Sequence, residues 1–472
     1  MREFVTAFIS FCLVKTLYAL QETAKALGAP SETVNPKNPP APGPVAQEAP
    51  TVASSWHTST RRTVEKLGDP ASVAFLAFDE YSSKAVDVVA NIFGKPRGYL
   101  PYWSKIPSRL SGQLSIAAAA IGEDRQLYGQ VAANTMEIFT LVRNNPEQMG
   151  IPEHGEFSLA EFQAKAYGVG DFENIWTVEG LGHVYSQRTW MLRHNVSENA
   201  TGMMIDDQAE CLTEKSLCMM HAGLGLCLAE SVIKQITLKA SEKEVERVLR
   251  SSIRLCKNNS RPGYAGAALE SLGLVTRTFN YPLLDLVQRV LMQTDRTAWE
   301  YFWRGAGRGL LFSPGHIAQP VFSPWITAEL EAPNEYAFNS LKAGITWATN
   351  VVNMRHPSIM EDVIKRRGAT EAKSGSIRHG VAASTTMAMS TTPNHPVVHE
   401  YLAYKPKSTD PRVHELWETL VHEPVYRAVH RYQPILARHN KLEEVFRFQD
   451  LDSLVDRLEA SETKGTPAEA VA

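Results

Sequence analysis

From about Trp56 onward the apolar residues recur at intervals of three and four, as over 74–93 and 114–142. That spacing places them on one face of a helix. The run Ala117, Ala118, Ala119, Ala120 suits a tightly packed helix better than a strand. A loop follows over 145–155, marked by Pro146, Gly150 and Pro152, residues that interrupt regular structure. A second pattern then overlies the first, because glycines enter the apolar helices. It is clearest in Met220, His221, Ala222, Gly223, Leu224, Gly225, Leu226. It recurs in Glu179, Gly180, Leu181, Gly182, His183 and in Trp303, Arg304, Gly305, Ala306, Gly307, Arg308, Gly309, with looser copies around Gly266, Gly344 and Gly380.

From the first glycine of each copy the spacing is about 40 residues, the period at which helical pairs stack. In several copies a proline follows the anchor glycine: Pro282, Pro357 and Pro396. Each opens a second amphipathic run, over 283–292, 358–366 and 397–404, as suits a residue whose φ is already helical and whose missing N–H is not needed there. The unit is thus a glycine-bearing helix, a Pro-marked turn and a second helix. Such pairs bury their apolar faces only against neighbouring pairs. The expected fold is all-α, an array of helical-hairpin repeats forming an α-solenoid or toroid. Glycine in a helix interior costs roughly 1 kcal/mol against alanine. Close helix approach offsets this, or else room for a ligand does, and the recurrence of the glycines favours close approach.

The ends of the chain read differently. Residues 4–20 are mostly apolar, with Lys15 their one charge, and about 17 residues is the lower limit for a membrane span. A signal or anchor, an interfacial helix and a docking helix compete for this segment. Pro36, Pro39, Pro40, Pro42 and Pro44 follow in a stretch almost free of large apolar residues, which marks an extended tether. The expected organisation is an N-terminal apolar segment (1–27), a Pro-rich linker (28–57), the repeat domain (58–450) and a terminal helix with a disordered tail (451–472). A Pro-rich insertion over 313–335, carrying His316 and Trp325, breaks the rhythm, and the last helical turns are expected near 451–458. Membrane association or a secretory route is the expected location, with a cytoplasmic one as alternative. The sequons at Asn195, Asn199 and Asn258 are compatible with secretion.

Composition adds mainly exclusions. The chain has 472 residues, 44% of them apolar and 21% charged, with a net charge of -3. No global field or basic run points to nucleic acid. The cysteines (Cys12, Cys211, Cys218, Cys227, Cys256) form no C-x-x-C pair, so buried thiols are favoured over metal or disulfide chemistry. There is no G-x-S-x-G elbow, Walker loop or H-E-x-x-H helix, and no cofactor is indicated.

What remains is a constellation fixed by the repeat. Before the anchor glycines stand Glu179, His221, Tyr264, Arg304, Lys342 and His379, and one turn after them His183 and Arg308. Equal offsets in stacked repeats project side chains in equal directions, so these residues are expected to share an interior. Glu179 and His183 are four apart on one helix face. They could pair with each other, hold a metal with His221, or act as acid and base. His221 and His379 join them as candidate catalytic groups, with Tyr264, Arg304, Arg308, Lys342, Trp303 and Trp347 as candidate ligand contacts. The competing reading makes the same groups polar bridges between repeats. Trp176, Trp190 and Trp299 add aromatic content that suits either a core or the wall of an apolar site.

His221, Ala222, Gly223, Leu224, Gly225 and Gly305, Ala306, Gly307, Arg308, Gly309, Leu310, Leu311, Phe312 resemble recurrent motifs of the UnbL-like family, found beside enediyne polyketide synthases. The similarity covers about residues 100 to 410. It implies a role in natural-product biosynthesis near an apolar polyketide-like molecule. The alternatives are a protein-binding scaffold and a helical toroid enzyme using Glu and His chemistry.

Overall fold

The computed structural model describes residues 130–465, apart from 132, 136, 139–140, 143–148, 152–157, 193–202, 206 and 313–322. The apolar segment 4–20, the Pro-rich linker, the run 74–93, most of 114–142, Cys12, Asn195, Asn199 and His316 lie outside these residues. Within them every regular element is a helix and none is a strand.

The principal helices are α1 (Leu159–Tyr167), α2 (Asn174–Leu192), α3 (Glu214–Ile233), α4 (Glu242–Asn259), α5 (Ala265–Phe279), α6 (Leu284–Thr294), α7 (Arg296–Phe312), α8 (Ser323–Glu331), α9 (Glu335–Val352), α10 (Pro357–Val363), α11 (Ser376–Thr391) and α12 (Val397–Ala403). Then α13 (Pro411–Trp417) continues through π turns at Glu418–His422 and Ala428–Tyr432 to Arg438, and α14 is Leu451–Gly465. Local chemistry sets the starts. Ser241 and Glu244 form a reciprocal capping box on α4, and the Asn334 side chain accepts from Ala337 N–H at the head of α9. Pro357 and Pro411 take first-turn positions in α10 and α13, where no backbone donor is missed. Two expectations need correcting. The last helix runs to Gly465, where a helical turn or two was expected, and the expected Pro-rich insertion contains α8.

Helices α2, α3, α5, α7, α9 and α11 pack side by side in chain order, and α11 also touches α3. The glycines explain how closely. A helix turns about 100° per residue, so two small residues in a G-x-G face opposite neighbours. A Cβ on Gly223 would overlap the Glu179 carbonyl of α2, and one on Gly225 the Ala268 carbonyl of α5. Gly305 and Gly307 repeat this between Glu270 of α5 and Leu341 of α9.

The register in α5 differs from expectation. Gly266 lies in the first turn of that helix, against the Tyr301 ring. The residues at the helix contacts are Ser271 and Gly273. Ser271 Oγ donates to the Ala222 carbonyl at 3.2 Å, and a Cβ on Gly273 would overlap the Phe302 carbonyl. Glu270, Ser271, Leu272, Gly273 is therefore the counterpart of Glu179, Gly180, Leu181, Gly182. Serine serves because it is small and its hydroxyl satisfies the facing carbonyl.

These inner helices are buried nearly all round. α3 is apolar and long enough to cross a membrane by length and composition, yet 89% of its apolar window is buried inside the protein. Cys218, Cys227 and Cys256 are free thiols there and in α4, pushed up to about 12 chiefly by burial.

Candidate functional site

With the register set by Ser271, the residues immediately before each first small residue are Glu179, Ala222, Glu270, Arg304, Ala343 and His379. Four positions further on stand His183, Leu226, Leu274, Arg308, Trp347 and Ala383. Each pair occupies one helix face, and this face builds the polar interior. Arg304 and Arg308, on successive turns of α7, share Glu270 of α5. Arg304 Nη1 donates to Glu270 Oε1 in a short contact, and Arg308 Nη1 donates to Glu270 Oε2 at 2.6 Å. Arg308 Nη2 also lies 3.6 Å from Glu179 Oε1 of α2. Both arginine side chains and both carboxylates are at least 95% buried. The Trp347 ring lies under both guanidiniums, 4.6 Å from that of Arg304 and 4.4 Å from that of Arg308, a geometry in which the ring quadrupole attracts cations.

Burial pulls the Arg304 guanidinium down to about 10, against the opposing pull of Glu270. Burial acts the same way on Arg308, but Glu270 and Glu179 outweigh it and the net shift is upward. Both remain charged at neutral pH. Hydrogen bonding is incomplete all the same. Arg304 Nε and Nη2, Arg308 Nε and Trp347 Nε1 are buried without an acceptor.

His379 of α11 borders this cluster. Its ring meets the Phe448 ring edge-on at 5.3 Å. Burial, reinforced by the charge of Arg304, pushes its pKa down to about 3. Neither ring nitrogen makes a well-formed hydrogen bond, and the Arg447 backbone beside the ring only partly offsets the downward shift.

The segment after α13 covers the cluster. A 3-10 turn, Leu442–Phe446, leads into Arg447 and Phe448. Glu443 accepts from Gly266 N–H at 3.1 Å and its own N–H donates to the Gly263 carbonyl at 2.8 Å. Arg447 donates to Glu300 at 2.8 Å, and Tyr336 Oη donates to the Phe448 carbonyl at 2.8 Å. Phe446 reaches in to 5.6 Å from the Arg304 guanidinium and 6.5 Å from the Trp347 ring.

The remaining expected site residues lie elsewhere, and the common interior holds only some of them. His221 stands two places before its glycine, a rotation of about 100° off the polar face. Its Nδ1 donates to the Leu217 carbonyl at 2.7 Å and its Nε2 accepts from Arg261 N–H at 3.0 Å. Both nitrogens are occupied, and burial holds the ring neutral, with its pKa down to about 4; it is a buried bridge and not a free base or metal ligand. Tyr264 is not on the helix face at all. It precedes α5 and stacks on the His221 ring at 5.1 Å. Lys342, also two places early, pairs at 2.6 Å with Glu371, outside the cluster. Trp303 is buried against Trp299 and Phe302. The Glu179–His183 pair suggested by the four-residue spacing does not form, since His183 turns to Glu230 at 3.4 Å and Glu179 to Arg308. Among the described residues no group of three His, Cys, Asp or Glu side chains is arranged to hold a metal.

Two members were missed. Glu270 was legible, because Glu270, Ser271, Leu272, Gly273 matches Glu179, Gly180, Leu181, Gly182 once serine is allowed for glycine. Phe446 carried no signal, since it arrives from far along the chain. The interior at Arg304 is filled by the protein's own side chains. A separate void between α3, α4 and α5, beside Gly225 and Cys256, measures about 10 Å³, at most one water. No family model, no curated protein and no solved structure matches the chain.

Proposed function

We propose that the chain is a ring-like array of helical hairpins that binds or converts an apolar, polyketide-like small molecule in natural-product biosynthesis. The equivalent glycine contacts along α2, α3, α5, α7, α9 and α11 support the array, and the contact of α11 with α3 supports a ring over an open solenoid. One observation carries the binding reading. Buried guanidinium donors stand without acceptors beside Trp347 and Phe446. A buried donor left unmade costs about 1–3 kcal/mol, and an aromatic wall with a few placed donors suits an apolar ligand bearing oxygen. The resemblance of the glycine motifs to the UnbL-like family supports the same chemistry. Association with a membrane or secretory route, through residues 4–20, belongs to this proposal.

Mass spectrometry of the natively purified full-length protein tests it. A co-purified neutral molecule of a few hundred daltons, lost on denaturation, is the expected result. A clean apo mass from a producing source, together with no quenching of tryptophan fluorescence by conjugated polyenes, would rule the reading out in favour of a protein-binding scaffold.

A further inference from the structure

The donors that lack acceptors have a specific geometry. Arg304 uses Nη1 for Glu270, and what is left is Nε together with Nη2. These two N–H groups form the side-on edge of the guanidinium, which takes two oxygens lying next to each other. Charge restricts the oxygens further. Two guanidiniums, Arg304 and Arg308, already face two carboxylates, Glu270 and Glu179. A ligand carboxylate would add a third negative charge to a buried and balanced group, which is unfavourable. Hydrogen-bond acceptance is lacking here and charge is not.

Resting on the binding reading above, we infer that the ligand presents two neutral acceptor oxygens side by side, as in a 1,3-dicarbonyl, to the Nε–Nη2 edge of Arg304. We infer further that Phe446 occupies the place of its apolar body until the ligand enters. Among the described residues, the rings over the Arg304 guanidinium are Trp347, from inner helix α9, and Phe446, from the short 3-10 turn. The turn buries Leu442, Val445 and Phe446, Phe448 meets the His379 and Tyr336 rings, and the backbone is tied by Glu443 to Gly263 and Gly266 and by Tyr336 to Phe448, with Arg447 paired to Glu300. Entry of the ligand therefore requires segment 442–449, which comes from outside the inner helices, to part from this core while the glycine-packed helices stay in place.

The test uses the full-length protein and two probes of similar size, dibenzoylmethane (a neutral 1,3-dicarbonyl) and biphenyl-4-carboxylate, read by tryptophan fluorescence. The diketone should bind about tenfold tighter or better than the carboxylate, as expected for a site whose fixed donors select an acceptor pattern. Arg304→Lys keeps the charge facing Glu270 and removes the edge; at protein shown to be folded it should weaken the diketone about tenfold. Phe446→Ala should tighten it. Hydrogen exchange on the wild-type protein needs no variant to fold, and the diketone should raise deuterium uptake over 442–449 while α9 stays protected. Equal or tighter carboxylate binding, an unaffected Arg304→Lys, or unchanged exchange over 442–449 each overturns the inference and leaves the binding reading standing. Failure of both probes to bind wild type and Phe446→Ala overturns both.

Discussion

Two arginine networks in this molecule use the same side chains under opposite conditions. Around Glu270, Arg304 and Arg308 are buried and share one carboxylate across two helices. Between the 411–438 helical run and α14, Arg427 and Arg431 meet Asp452, Asp456 and Glu459 in pairs of 2.5–3.4 Å, with side chains 31–64% exposed. The distances are alike and the energetics are not. In the outer ladder water solvates each charge whether or not the pair forms, so pairing is worth little. In the interior the ions have left water, and each depends on the other for its remaining stabilisation. Burial, more than geometry, decides what an ion pair contributes.

The largest expected effect breaks the inner network. Glu270→Ala leaves two buried guanidiniums with only Glu179 near Arg308, and should cost roughly 3–5 kcal/mol of folding free energy. Urea denaturation at neutral pH measures this; a loss below about 1 kcal/mol would mean that the cluster is hydrated and behaves like the outer ladder.

Acid should separate the regions next. His221 and His379 have folded pKa values depressed to about 4 and about 3, below the ordinary value near 6.5. The unfolded chain therefore takes up protons that the folded chain refuses. Stability is complete above pH 6.5 and falls as the pH drops toward 4 for His221 and toward 3 for His379. The slope is about 1.4 kcal/mol per pH unit for each group. Denaturation midpoints between pH 7 and 5 should show it, and His221→Gln should flatten it by about half. The outer ladder carries no buried histidine, so removing Arg431 should leave this slope alone.

Glycine packing gives a smaller effect. Gly273→Ala forces a Cβ onto the Phe302 carbonyl, a backbone atom that cannot swing away. A loss of roughly 1–3 kcal/mol is expected, as for overpacked cores. A neutral result would show that α5 and α7 are free to move apart.

The smallest effect belongs to the outer ladder. Arg431→Ala should change stability by less than about 1 kcal/mol, and that difference should shrink in 1 M salt. A salt-insensitive loss matching that of Glu270→Ala would erase the distinction between the two networks.

Local chemistry determined much of this protein in advance. The amphipathic runs after the prolines at 282, 357 and 396 lie almost wholly in helical segments, and those prolines fall in or beside the starts of these segments. The recurrent glycines indicated helices in backbone contact. These are legible because helix period, proline stereochemistry and the absence of a Cβ act within a few residues. The site was legible only in part. Arg304, Arg308, Glu179 and His379, named from repeat offsets, gather with Trp347, named for its aromatic ring. His221 and Lys342 were grouped with them but stand one position earlier relative to their glycines and do not gather, because one residue turns a helix by about 100°, more than enough to move a side chain to another face. Where serine replaced the anchor glycine, the register went to Gly266 and Glu270 was lost from view. The partners across space were decided by tertiary structure alone. His183 chose Glu230 over Glu179, and Phe446 came to rest over Arg304 from more than a hundred residues away. A pattern along one helix specifies the direction of a side chain, but only packing brings a second chain segment to meet it.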